Sequence, residues 1–257
     1  MTLLSTALCV LAVIFSQFID STIVSGRTFE DFIAELRAEQ ESRDRCNNGT
    51  FRSCVEEPTK ISRPYQLKPF RDSPDFGAYC EQKSHGGGWL VVQHRFDGSE
   101  DFFRKYPDYR NGFGDLEGEF WIGLEKLYRL TANRNTQLLV ELKDFAGIYK
   151  YAKYDEFEIG DEQEGYHLKK LGAYCGTAGD GLRYSEGMRF STPDNDVDES
   201  KFNCAIQRMG AWWYKDCTYS NLNGLYEDDN QQRAMNWFPF KDSDDGLKSS
   251  KIMIRGY

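Results

Sequence analysis

The sequence predicts an α+β domain on three observations: short apolar runs of strand character recur along the chain, only a few segments have helical spacing, and a long stretch rich in Gly, Asn and Asp fits neither pattern. The chain has 257 residues, 40% apolar and 28% charged, enough for a core of ordinary size. An aromatic content of 15% excludes a disordered tail, a collagenous rod or a coiled-coil rod over most of the length. Lys and Arg number 32 against 41 Asp and Glu, and a net charge of −9 repels phosphate backbones and anionic lipid heads. Neither nucleic acid nor membrane insertion is expected.

Residues 1–25 read as a signal peptide. The apolar stretch from Ala7 to Phe15 is too short to span about 30 Å of hydrocarbon, Asp20 breaks the apolar character soon after it, and Ser21 and Ser25 offer small residues for cleavage. Asn48-Gly49-Thr50, a glycosylation acceptor, agrees with a secreted, extracellular chain. Residues 26–45 place Phe29, Phe32, Ile33 and Leu36 at helical spacing and predict a short amphipathic helix. It is either the remnant of a stalk, making residues 27–46 a route to a homo-oligomer, or an ordinary helix or frayed terminus. From Cys46 to Tyr257 no linker or repeat intervenes, which predicts one domain over 46–257.

Within it, Trp89–Gln93, Gln137–Leu142 and Lys251–Ile254 predict strands, and Phe120–Leu130 and about Phe202–Met209 predict helices. The stretch from Gly172 to Gly246 is too long and polar for an idle loop, and is expected to be functional and pinned by cross-links or ions. If Cys9 leaves with the signal, six of the seven cysteines remain: Cys46, Cys54, Cys80, Cys175, Cys204 and Cys217. An even number in an oxidising compartment predicts disulfides, but six cysteines allow fifteen pairings and arithmetic does not choose among them. No Cys-x-x-Cys pair supports a zinc site.

Asp194-Asn195-Asp196-Val197-Asp198 sets three carboxylates at alternate positions, as a tight loop needs to turn oxygens onto one hard cation, and as a solvated acidic turn also shows. An EF-hand is excluded, because Glu199 stands where Gly is required and Ala205 where a bidentate Glu is required. No nucleophile elbow, phosphate loop or dinucleotide fingerprint is present, and His85, His94 and His167 are scattered. No enzymatic activity is expected.

Several words in order then carry a resemblance: Gly86-Gly87-Gly88-Trp89, Asp97-Gly98-Ser99, Gly118-Glu119-Phe120-Trp121-Ile122-Gly123, Asn203-Cys204-Ala205, Gly210-Ala211-Trp212-Trp213-Tyr214 and Ser220-Asn221-Leu222-Asn223-Gly224. From about Cys54 onward the chain resembles the fibrinogen C-terminal, or fibrinogen-related, family, in its ficolin and tachylectin-like lectin branch. The resemblance implies a central, mostly antiparallel sheet, short helices and a long irregular calcium- and ligand-binding subdomain. It implies a Cys204–Cys217 disulfide and a second at Cys54–Cys80, for which Cys46 competes. Cys46 and Cys175 are additions that pair with each other or link chains, the intrachain bond being preferred.

For the acidic stretch the resemblance implies a Ca2+ loop, with carboxylates from Asp196 and Asp198 and backbone carbonyls from Ser200 and Phe202. For the pocket it implies a cis peptide at Asp216-Cys217, with the N–H groups of Cys217 and Thr218 aimed at an acetyl oxygen. The walls depart from the lectin pattern: Thr218 replaces His, Arg208 replaces an aromatic, and Gln231 and Ala234 stand where Tyr is usual. Acidic residues crowd the two segments around it, Glu227 to Asp229 and Asp242 to Asp245. The implied function is a calcium-stabilised module binding glycans or acetylated groups on microbial surfaces in innate immunity. The alternative is a protein-binding module for adhesion, clotting or receptor engagement, using the acidic pocket for basic protein segments.

Overall fold

The computed structural model describes residues 50–71 and 74–256, together with residues 31, 33 and 34. The chain divides into two units, Met1–Gly49 and Thr50–Tyr257. In the first, Asp31, Ile33 and Ala34 are helical, inside the segment where a helix is expected. The signal segment, Cys46 and Asn48 lie outside the described residues. No helix among the described residues is long and apolar enough to cross a membrane.

The second unit is organised around its last strand. Nine strands form one sheet: β1 (Arg63–Leu67), β2 (Phe76–Glu81), β3 (Trp89–Arg95), the short β4 (Phe113–Gly114) and β5 (Phe120–Trp121), β6 (Thr136–Asp144), β7 (Tyr149–Tyr154), β10 (Tyr174–Gly176) and β13 (Leu247–Gly256). The path runs β1-β2-β3-β13-β6-β7-β10, every pairing is antiparallel, and β5 joins β3 and β4 beside it. β13 sits between β6, in register from Ser249 opposite Lys143 to Gly256 opposite Thr136 after a bulge that follows Leu247, and β3, where Ile254 faces Leu90. The three runs expected to be strands are thus adjacent, and their apolar character follows from burial on both faces: Leu90, Val92, Leu138 and Val140 on one, Trp89, Val91, Leu139 and Met253 on the other. β8 (Phe157–Ile159) with β9 (Leu168–Leu171), and β11 (Ser220–Asn221) with β12 (Asn236–Trp237), make two further ribbons.

Both expected helices are shorter than their apolar spacing suggests. Phe120 and Trp121 pair with His94 and Gln93 in the sheet, and the helix, here α2 (Leu124–Thr131), begins only after Gly123 at φ 106°. Tertiary pairing outweighs local propensity there. The earlier helix α1 (Tyr106–Asn111), opened by a proline in its first turn, lies outside the expected set. α3 spans only Cys204–Gln207, because Asn203 caps its start by accepting from Ile206 N at 2.9 Å and Met209 turns out at φ 48°.

The irregular region hangs on β3 through buried polar side chains. Gln93 Nε2 donates to Leu222 O at 2.8 Å and Asn223 Oδ1 at 3.0 Å, and Arg95 Nη1 donates to Gly224 O at 2.9 Å. Arg95 is 1% exposed; its charge is met by Glu119, with Nε 3.4 Å from Oε2, and by the Phe102 ring at 3.9 Å. Glu119 in turn accepts from the N–H groups of Asp97 and Gly98, at 2.8 and 2.9 Å, so one buried ion pair holds both the Asp97-Gly98-Ser99 turn and the ligand-side loops.

Candidate cation loop and ligand pocket

Asn221, fully buried on β11, assembles the pocket region. Its Oδ1 accepts from Tyr214 OH at 2.6 Å, and its Nδ2 donates to Arg208 O at 2.8 Å and, more weakly, to Ala234 O at 3.3 Å. One amide therefore ties the end of α3, the segment 214–221 and the segment 231–234 together. Gly224 makes this possible, since a Cβ there would collide with Asn221 Nδ2 and the carbonyls of Arg233 and Ala234. The Cys204–Cys217 disulfide closes the same assembly.

In the acidic loop the three carboxylates take different roles. Asp194 Oδ1 accepts from Tyr106 N at 2.9 Å and Thr192 Oγ1 at 2.8 Å, which commits it to structure. Asp196 and Asp198 stand together: Asp198 N donates to Asp196 Oδ1 at 3.4 Å, while Asp198 Oδ1 and Oδ2 accept from Ser200 N and Cys204 N, each at 2.9 Å. Burial pushes the Asp198 carboxyl above the usual range, and the neighbouring Asp196 charge adds to this, despite the two N–H donors. Among the described residues no N–H is paired with the Ser200 or Phe202 carbonyl. No cluster of three or more His, Cys, Asp or Glu side chains suited to a metal occurs among the described residues. Phe202 and Ile206, one helical turn apart, expose 66% and 52% of their surface beside this loop.

The peptide bond between Asp216 and Cys217 is cis, where the resemblance implies it. Among the described residues neither the Cys217 nor the Thr218 N–H has an acceptor, although Thr218 is 9% exposed. An unpaired donor in a residue as buried as Thr218 is uncommon in a folded chain, while Cys217 is half-buried. The Thr218 side chain is turned inward, its hydroxyl donating to Ser220 O at 2.9 Å. Ala234 is fully buried and presents no wall, and Gln231 is exposed with its N–H on Asp229 Oδ1 at 2.9 Å. Arg208 is 9% exposed, and its Nη1 donates to Gln232 O at 3.3 Å.

Aromatic groups reach the cis bond from segments that spacing along the chain does not connect. Tyr184 OH donates to Asp216 O at 3.3 Å, the Tyr184 and Tyr219 ring centroids are 4.9 Å apart, and Tyr219 stacks on Phe238 at 5.8 Å. Tyr219 is 48% exposed, and Lys215 Nζ lies 5.4 Å from the Tyr184 ring centre. The aromatics missing at the expected positions are thus replaced by a row drawn from residues 184, 219 and 238. The acidic rim is partly neutralised from within by Arg233, whose Nε lies 3.3 Å from Glu227 Oε2 and whose Nη2 lies 4.0 Å from Asp229 Oδ2, while Asp244 Oδ2 accepts from Gln232 Nε2 at 3.2 Å and Lys241 is spent on Asp144 of β6, at 2.6 Å.

The cystines are Cys54–Cys80 and Cys204–Cys217, which decides the first pairing against Cys46. Cys175, on the edge strand β10, is exposed with a free thiol, against the preferred pairing with Cys46, which itself lies outside the described residues.

The chain is similar to known proteins. Residues 50–257 match the family described as fibrinogen beta and gamma chains, C-terminal globular domain. Mouse tenascin-R is 42% identical over 179 residues, 70% of this chain but 13% of that protein. Fibrinogen-like protein A of Apostichopus parvimensis is 43% identical over 189 residues, 71% of this chain and 67% of that protein. Among solved structures, the fibrinogen-like globe domain of human ANGPTL6 superposes with a TM-score of 0.77 at 37% identity, covering 81% of this chain and 96% of that one. A lamprey fibrin D-dimer complexed with the peptide Gly-His-Arg-Pro-amide gives 0.71 at 28% identity, covering 97% and 91%. The sheet order, the two cystines and the match over residues 50–257 lead to one assignment: the chain belongs to the fibrinogen C-terminal domain family.

Proposed function

We propose that this is a secreted, calcium-stabilised recognition module that binds glycans or acetylated groups, of the kind displayed on microbial surfaces, in innate defence. The observation that carries the reading is the pair of unpaired N–H groups of Cys217 and Thr218 beside the exposed Tyr219. Two consecutive, unpaired backbone donors can serve one carbonyl oxygen, and an aromatic face suits the apolar side of a sugar or the methyl of an acetyl group. Asp196 and Asp198, with the carbonyls of Ser200 and Phe202, would hold Ca2+; bound there, the ion supplies the positive charge that two adjacent carboxylates lack. Retention on an N-acetylglucosamine resin in about millimolar calcium, reversed by free acetate and by a chelator, is the expected result. Flow-through of folded protein would overturn the reading.

A second reading, a module for basic protein segments, draws support from the peptide complex of the lamprey relative. The internal pairing of Glu227 with Arg233 and the buried Arg208 both weaken it. Competition between acetylated sugars and basic peptides separates the two.

A further inference from the structure

Arg208 is the side chain at the pocket whose charge nothing nearby matches. It is 9% exposed, yet no carboxylate of the described residues lies within 4.0 Å of its guanidinium, whereas Arg95, the other deeply buried arginine at this junction, has Glu119 at 3.4 Å. Of its five N–H donors only one, on Nη1, has an acceptor, the Gln232 carbonyl. The Nε and Nη2 atoms find no partner among the described residues, and neither is fully enclosed. Asp244, whose Oδ2 accepts from Gln232 Nε2, acts on the guanidinium from beyond ion-pair distance. The Arg208 carbonyl is fixed by Asn221, and the turn before it is tied by Cys204 to Cys217, so the backbone that carries Arg208 and the backbone that carries the unpaired N–H groups are braced together.

A buried cation lacking a counterion is costly, and the cost falls when an anion arrives. A neutral acetyl oxygen uses the two backbone donors but leaves the guanidinium unmatched. A carboxylate has two oxygens, one for the N–H pair and one for the planar fork of arginine. We propose that this pocket selects sugars bearing a carboxylate, the uronic acid class, over neutral sugars, with Arg208 as the residue that determines the preference. The inference rests on the glycan reading and sharpens its ligand class.

The test compares wild-type protein on glucuronate-terminated and glucose-terminated conjugates of the same carrier, with N-acetylglucosamine conjugate as a third arm, by biolayer interferometry. Because charge-assisted hydrogen bonds exceed neutral ones, the glucuronate conjugate is expected to bind at least about tenfold tighter than the glucose conjugate. Raising salt should shrink that ratio. Arg208→Gln should bring it close to one, and Arg208→Lys, which keeps the charge without the fork, should retain part of it; near-ultraviolet circular dichroism of each variant reports folding. A wild-type ratio near one, with N-acetylglucosamine still bound, overturns the acid preference and leaves the glycan reading standing. Folded wild-type protein that binds none of the three overturns both. The wild-type ratio and its salt dependence need no variant, so a variant that fails to fold does not remove the test.

Discussion

The central sheet and the irregular region from Gly172 to Gly246 are held by opposite means. Around β13 the stabilising atoms are apolar and replaceable: Leu139, Val140, Met253 and Leu138 are each 0–1% exposed and pack on residues like themselves. Around the pocket they are single amides aimed at backbone carbonyls, as with Asn221 on Arg208 O and Asn223 on Ala211 O at 3.0 Å. An apolar core loses stability by degrees when one member shrinks, because its neighbours partly relax. A hub amide fails at once, because every carbonyl it served is left unpaired in a dry place.

The largest test of this contrast is Asn221→Leu. It keeps the volume but strands Tyr214 OH and the Arg208 and Ala234 carbonyls, and urea unfolding should report a loss of about 3–5 kcal/mol. If it costs less than Leu139→Ala, for which about 2–4 kcal/mol is expected, the two regions do not differ in this way. Next, replacing Cys204 and Cys217 by Ser opens a loop with sequence separation 13, which chain entropy values at about 3 kcal/mol. Limited proteolysis should then cut within 172–246 before it cuts the sheet.

The sheet side has its own sensitive point. Burial is the main cause that holds His94 down from 6.5 to about 4, and Lys251 nearby adds to it, while Glu119 and Glu81 oppose. The unfolded chain takes up this proton near pH 6.5 and the folded chain only near 4, so stability falls as pH drops through that window, by about 2–3 kcal/mol at most. His94→Phe should flatten the pH dependence of the melting temperature between those values; an unchanged slope would assign it to other groups. The smallest effect is calcium removal, which for an extracellular-grade site at about millimolar ion should lower stability by about 0.4–1.4 kcal/mol. Asp198→Asn should abolish the calcium-dependent part in differential scanning calorimetry.

The same contrast explains what could be read in advance. Strand runs at β3, β6 and β13 were legible because double-sided burial demands continuous apolar residues. β7, with Lys150 and Lys153 among its tyrosines, carries no such signal and owes its place to pairing with β6. The cis bond and the Cys204–Cys217 cystine followed from ordered family words. The row of Tyr184, Tyr219 and Phe238 did not, because its members come from three segments that only the fold joins. Nor did the isolation of Arg208, which depends on where Asp244 and Glu227 find their partners.

The links from Gln93 and Arg95 end on the carbonyls of Leu222 and Gly224, atoms that every amino acid possesses. The brace that fixes the pocket loops to the sheet is therefore blind to much of the local side-chain identity. Lineages carrying this scaffold can exchange rim residues, as Arg208 and Thr218 illustrate here, and acquire new ligands without first reinventing the architecture that presents them.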